Sequence, residues 1–147
     1  MSLRDWQANR WLVEHRTTPQ EIADLLAVAD RDLADCKVTG LSPDARLSIA
    51  YNGALQIATA ALAACGYRAT RDRHHHTVIQ SLTFTIGAHA ELVAEFDQFR
   101  KKRNISGYER AGSVSEREAN TILALGQRLR RDVQKWLRAK HPELLKD

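Results

Sequence analysis

The sequence predicts an all-α fold, an antiparallel up-and-down bundle of four or five helices with a short extra helix at its N-terminus. Three observations predict this class. The chain has only 7 glycines and 3 prolines among 147 residues, so few positions interrupt a helix. Between those positions, apolar residues recur at helical spacing. Serine or threonine stands at the start of three such stretches, where it is a preferred helix cap.

The first two helices of the bundle have the clearest signals. Thr-Pro-Gln-Glu at 18–21 is typical of a capping box with proline in the first turn, and an apolar stripe follows over 22–36. Ser-Pro at 42–43 restarts the chain in the same way, and the next stripe covers 47–65. This second helix is rich in alanine along its middle, which predicts that a neighbouring helix packs closely against it.

Three further helices complete the predicted bundle. The spacing predicts a short helix that begins at 74 or 75 and ends at 86, and a fourth helix over about 90–103. A turn over 105–114, which contains two glycines, follows the fourth helix. The last helix begins at a second capping box, Ser115 with Glu118, and ends before a proline. Short connections favour antiparallel neighbours.

The segment before the bundle, residues 3–15, is short and amphipathic, and we expect it to be helical. It carries Trp6 and Trp11, which so short a helix cannot bury alone. We therefore expect this segment to pack across the bundle or against a second subunit or another partner. The sequence predicts a single domain over 1–147. Residues 1–17 form its N-terminal helical extension, and residues 18–141 form the bundle.

Composition excludes several classes of protein. Cys36 and Cys65 lie on apolar stripes, as does Trp136, and no CxxC pair occurs, so these side chains are expected in the core rather than in a zinc site. Neither GxGxxG nor GxxxxGK[ST] occurs, and no cofactor is expected. Without an apolar leader or a long apolar run, we expect a cytoplasmic protein with reduced thiols and no membrane partner.

The net charge of +4 conceals a strong polarity along the chain. Residues 20–35 carry five acidic side chains against one arginine, whereas 100–110 carry five basic side chains against one acid, and 128–140 carry six against one. Arginine outnumbers lysine 16 to 6, and arginine suits bidentate contacts to phosphate. The basic stretches are either solvated helix faces or surfaces that bind nucleic acid.

Four cations, at 100–103, stand together at the predicted end of the fourth helix. In that position they are favourable for the helix dipole, so part of this run has a purely structural explanation. Asn104 follows directly, and four residues separate Arg103 from Tyr108. These side chains either tie down the turn before the last helix or bind a ligand.

This arrangement resembles the HEPN family, small helical domains named for higher eukaryotes and prokaryotes nucleotide-binding proteins. The resemblance covers about 22–137. Arg103 matches the motif arginine of the family, Asn104 matches the polar residue that often follows it, and Tyr108 stands where the motif has histidine. The other segments that resemble the family are 23–29, 50–56, 60–67 and His75, which precedes the third helix.

The resemblance implies a prokaryotic protein that forms homodimers, in which an Arg-x(4–6)-His motif from each subunit lines a basic cleft. Active members of the family are metal-independent ribonucleases, often toxins of toxin–antitoxin pairs. In that chemistry the imidazole moves the proton of a ribose 2′-hydroxyl and the arginine stabilises charge on the phosphate. A phenol, with an ordinary pKa of about 10, is a poor base at neutral pH. The variant motif therefore predicts binding of RNA or a nucleotide and leaves cleavage open.

The candidate residues fall into two groups. The resemblance implies a catalytic role for Arg103, Asn104 and Tyr108. The residues expected to bind nucleic acid are Arg100, Lys101, Lys102, Arg110, Arg71, Arg73 and His75. The alternative function is a non-catalytic interaction module that pairs with a nucleotidyltransferase of the MNT type. No metal site is expected at 74–76, because three adjacent histidines on a helix cannot all face one ion.

Overall fold

The protein is a helical bundle, which confirms the predicted fold class. The structure, a computed structural model, describes the backbone of residues 1–108 and 112–145 and the side chains of 1–104 and 112–145. Its elements are α1 (Leu3–Ala8), β1 (Leu12–Glu14), α2 (Pro19–Asp35), α3 (Pro43–Ala64), β2 (Tyr67–Ala69), α4 (His74–Thr85), α5 (Ala90–Tyr108), α6 (Glu116–Lys140) and a short 3-10 helix (Pro142–Leu144).

The predicted caps begin three of these helices. The side chains of Thr18 and Ser42 accept hydrogen bonds from backbone N–H groups in the first turns of α2 and α3. At α6 the predicted capping box is complete: Ser115 Oγ accepts from the N–H of Glu118, and the Glu118 carboxylate accepts from the N–H of Ser115. The hydrogen bonds with Ser115, opposed in part by burial, lower the pKa of Glu118.

The alanine-rich helix α3 lies at the centre of the bundle and packs against α2, α4, α5 and α6. Small residues allow the close approach that the sequence predicts. A Cβ atom added at Gly126 of α6 would lie only 2.8 Å from Cδ2 of Leu33, and one added at Gly53 of α3 would lie 3.4 Å from the carbonyl oxygen of Ala29. Among the described helices, α3 alone is long and apolar enough to cross a membrane, and 72% of its apolar window is buried inside the bundle, as in the core helix of a soluble protein.

The N-terminal segment differs from the prediction of one helix over 3–15. Helix α1 ends at Ala8, Arg10 adopts a left-handed conformation with φ of 65°, and β1 then pairs antiparallel with β2. The helix prediction is wrong after residue 8 because the backbone of 12–14 finds a strand partner far along the chain. Trp6 is buried against Phe84 within the same subunit, whereas Trp11 remains 44% exposed.

Helix α5 is longer than predicted. It continues to Tyr108, so the prediction that it ends at about 103 and that a turn begins at 105 is wrong. A glycine inside a helix costs only about 1 kcal/mol, and Gly107 does not end α5. The four cations at 100–103 therefore lie within α5 rather than in its last turn, and the helix dipole does not explain them.

The remaining core predictions hold in part. Cys36 is buried and Cys65 is half-buried, and both are free thiols. Burial raises the pKa of each thiol to about 11, so both stay protonated at neutral pH. Trp136 is half-buried rather than fully in the core, and its ring meets the edge of His141 at 4.8 Å between centroids.

Candidate nucleic-acid interface

Tyr51 and His75 form the centre of the candidate site. The ring of Tyr51 is almost completely buried on α3, with its Oη 3.2 Å from Nδ1 of His75 in the first turn of α4. Phe96 of α5, which is also buried, packs against Tyr51 at 5.8 Å between centroids with the two planes almost perpendicular. Three helices therefore fix this tyrosine and, through it, the imidazole.

The hydrogen bond between these side chains sets the position of the imidazole proton. Burial raises the pKa of Tyr51 far above its ordinary value, although the charges of Arg103 and Arg100 oppose this shift. The phenol thus keeps its proton, and its only described hydrogen-bond partner is Nδ1 of His75. A buried hydroxyl that donates to nothing costs about 1–3 kcal/mol. The phenol therefore donates to Nδ1, and the proton of a neutral imidazole lies on Nε2.

The imidazole is neutral at neutral pH. Burial is the main cause that lowers the pKa of His75, and the nearby charges of His74, Arg103 and Arg100 lower it further. Arg103 contributes because its guanidinium carbon lies 5.7 Å from the centroid of the Tyr51 ring. His75 therefore offers a ligand an N–H group and no charge.

Carboxylates pair with most of the cations at 100–103. Asp97 accepts a 2.7 Å hydrogen bond from Nε of Arg100 and lies 3.4 Å from Nδ1 of His76 and 3.8 Å from Nζ of Lys101. Lys102 pairs with Glu118 at 3.5 Å. Burial raises the pKa of Asp97, but the hydrogen bonds and charges of Arg100 and His76 lower it more, so the net shift is downward.

An open cleft of about 420 Å³ lies beside the imidazole. Its described lining consists of Arg71, Arg73, His74, His75, His76, Arg100 and Asn104. Two of the arginines come from the loop between β2 and α4, the histidines are the first three residues of α4, and the last two side chains come from α5. None of these seven residues is acidic. The positive end of the α4 dipole adds to the positive electrostatic potential of the cleft.

Four of the seven residues that are predicted to bind nucleic acid line the cleft: the two loop arginines, His75 and Arg100. Of the three residues with an implied catalytic role, Asn104 lines the cleft and Arg103 contacts the ring of Tyr51. Lys101 and Lys102 are not in the described lining and pair with carboxylates. Two of the predicted residues cannot be placed, because the side chain of Tyr108 and the whole of Arg110 lie outside the described residues.

Sequence reasoning assigned no role to Tyr51 or Asp97. Tyr51 lies on the apolar stripe over 47–65, which predicts a core position, and its burial confirms this. Its contact with His75 depends on how α3 and α4 pack. Asp97 has a local signal, since it stands three residues before Arg100 and four before Lys101, the spacing of helical ion pairs.

The three adjacent histidines have three different partners. Nδ1 of His74 lies 3.3 Å from the carbonyl oxygen of Thr70, whereas His75 contacts Tyr51 and His76 contacts Asp97. Within the part of the chain that the structure describes, no group of three or more His, Cys, Asp or Glu side chains is placed to hold a metal ion.

No protein-family model matches the sequence, and no curated protein matches it. The chemistry of the cleft follows from the geometry described above.

The lowered pKa of His75 predicts a pH dependence of stability. Because the unfolded chain binds this proton more readily than the folded protein, the free energy of unfolding falls as the pH drops below about 6.5, the ordinary value. His75→Gln removes this contribution and should flatten the decrease between about pH 7.5 and pH 5.5 in urea denaturation experiments. His89→Gln, at an exposed position, is the control. Equal pH profiles for the two variants would contradict the prediction.

Proposed function

We propose that this chain is a HEPN-like protein that binds single-stranded RNA by its phosphates at the cleft between α4 and α5. One observation carries the proposal. Three arginines, three histidines and an asparagine converge on a cleft with no acidic side chain among its described lining residues. The order of segments along the sequence, which resembles the HEPN family, favours RNA as the nucleic acid.

Each group in the cleft suits a phosphodiester. Arg71, Arg73 and Arg100 supply planar, permanently charged donors that match phosphate oxygens. His75 supplies a neutral N–H donor at Nε2, and the amide of Asn104 supplies both a donor and an acceptor. The loop arginines are exposed, so they can contact successive phosphates of a strand rather than enclose one nucleotide.

Cleavage of the bound RNA is the second candidate function. It is favoured by the neutral imidazole of His75, which lies near the guanidinium groups of Arg100 and Arg103. A general base needs a free lone pair that faces the 2′-hydroxyl. The hydrogen bond from Tyr51 occupies Nδ1 and leaves the proton on Nε2, so His75 in this state donates rather than accepts. Cleavage would require the opposite tautomer, in which Nδ1–H donates to the phenol. Binding is therefore the function that the geometry supports best.

The test is equilibrium binding of a labelled single-stranded RNA by fluorescence anisotropy between about 50 and 200 mM salt. We expect affinity to fall as salt rises, with a logarithmic slope of about −0.7 for each phosphate contacted on a single strand. Absent or salt-independent binding would overturn the proposal. The same samples, with a chelator present, are analysed on denaturing gels. RNA cut by the wild-type protein and left intact by His75→Gln would establish the second candidate.

The partners implied by the resemblance stay predictions. Sedimentation of the purified protein tests the homodimer, and co-purification from the native host tests the alternative of a nucleotidyltransferase partner. A stable complex with such an enzyme, together with no affinity for RNA, would favour the interaction module.

A further inference from the structure

We propose that a second pocket, next to the cationic cleft, binds a nucleobase of the same RNA. This pocket has a volume of about 660 Å³, within the range of roughly 300–1,000 Å³ typical of small-molecule sites. Its described lining residues are Met1, Trp6, Asn9, Arg10, Trp11, Thr70, Asp72, Arg73, His76, Thr77 and Gln80. The proposal rests on the proposed function, because the cleft supplies the phosphate contacts.

The two pockets are adjacent. Arg73 and His76 line both of them, so a strand held at the cleft passes next to the second pocket. The cleft is lined mainly by arginine and histidine, whereas the second pocket adds two indole rings and several uncharged polar side chains, together with Asp72 and Arg10. A nucleotide likewise has an anionic phosphate and an aromatic base.

Trp11 provides the stacking surface. It is 44% exposed, one of the few large apolar side chains left open to solvent in the described part of the chain. The ring of Trp6 meets it nearly at right angles, with the centroids 5.8 Å apart, and Phe84 meets Trp6 in the same manner at 5.1 Å. Trp11 is thus supported from one side within the subunit, while a large part of its surface remains free for a base.

The backbone holds this platform beside the phosphate-binding loop. The N–H of Thr70 donates to the carbonyl oxygen of Trp11 at 3.0 Å, and its hydroxyl donates to the carbonyl oxygens of Arg10 and Trp11. Arg71 follows Thr70 directly, and Arg73 stands two residues further along. One residue therefore links the stacking surface to the arginines of the cleft.

Polar side chains in the pocket can read the edge of a base. Asn9 and Gln80 each carry an amide with a donor and an acceptor, and neither amide has a hydrogen bond to another described side chain or backbone group. Gln80 is half-buried on α4, so its amide is available to hydrogen-bond the edge of a base that occupies the pocket.

The test compares two probes, a single-stranded RNA and a ribose–phosphate oligomer of equal length without bases. We expect wild-type protein to prefer RNA by at least about fivefold, the lower limit of what stacking of one base contributes. Trp11→Ala should remove this preference while the affinity for the oligomer without bases stays unchanged. Trp11→Phe should retain most of it, and Val38→Ala, at another exposed apolar position, should have no effect.

The outcomes separate the two proposals. If wild-type protein binds both probes equally and Trp11→Ala changes neither affinity, the base pocket is overturned and phosphate binding stands. If neither probe binds, both proposals fail. Fluorescence gives a second measurement: RNA should quench the tryptophan emission of the wild-type protein more strongly than that of Trp11→Phe, and equal fractional quenching in both would contradict stacking on Trp11.

Discussion

Replacing both loop arginines, Arg71→Gln with Arg73→Gln, should lower the affinity for single-stranded RNA by about 100-fold at low salt. Charge-assisted hydrogen bonds contribute about 1.5–3 kcal/mol each. A tenfold loss of affinity per arginine corresponds to about 1.4 kcal/mol, close to the lower end of that range. The magnitude of the logarithmic salt slope should also decrease by about 1.4, because two phosphate contacts to a single strand are lost. Glutamine keeps the first three side-chain carbons and a polar end group but removes the charge, and neither arginine has an ion pair with a described residue.

The matched control is Arg131→Gln with Arg138→Gln on α6. This variant has the same net charge, but its substitutions lie outside the described lining of the cleft. Its affinity for RNA should remain within about threefold of the wild-type value, since only the general attraction of a positive protein is reduced. Equal losses in the two double variants would show that binding depends on overall charge, and the cleft would lose its assigned role.

Phe96→Ala should destabilise the fold by about 3–5 kcal/mol, the usual cost of removing a fully buried phenyl ring. The ring is inaccessible to solvent and packs edge-on against Tyr51. The cavity would lie where α3 meets α5, so the support of the tyrosine that positions His75 would be lost as well. Urea denaturation measures the change through the shift of the midpoint.

Glu95→Ala, at the exposed neighbouring position, is the control for Phe96→Ala and should change the free energy of unfolding by no more than about 0.5 kcal/mol. A loss below about 1 kcal/mol for Phe96→Ala would show that this ring does not support the packing of α3 against α5. Affinity for RNA, measured where the variant is still folded, then tests whether the imidazole depends on that packing.

Local sequence signals account for most of the fold. Caps such as Ser115 with Glu118 depend on residues within one turn, so the starts of the helices could be predicted without tertiary information. The strand pair could not, because Leu12 pairs with Ala69 and neither residue alone indicates a partner. The end of α5 was also not predictable, because a glycine such as Gly107 occurs both in turns and, at a small cost, inside helices.

The site was predictable as a set of residue types but not as an arrangement. The sequence places His75 at the start of a helix and Arg100 within another, and their common cleft follows only from the packing of α4 and α5 on α3. The hydrogen bond between Tyr51 and His75 also depends on tertiary packing. Without this contact, the imidazole would have been interpreted as a base rather than as a donor.

Asp97 has a consequence for the way in which an anion enters the cleft. Its carboxylate already holds Arg100 and His76, and in this sense it is an internal competitor of an incoming phosphate. A phosphate that binds Arg100 replaces one anion with another, so the free energy gained there is only the difference between the two contacts. Arg71 and Arg73 have no such competitor among the described residues. The loop therefore determines how strongly an anion is held, and Arg100 serves mainly to select a group that competes well with a carboxylate.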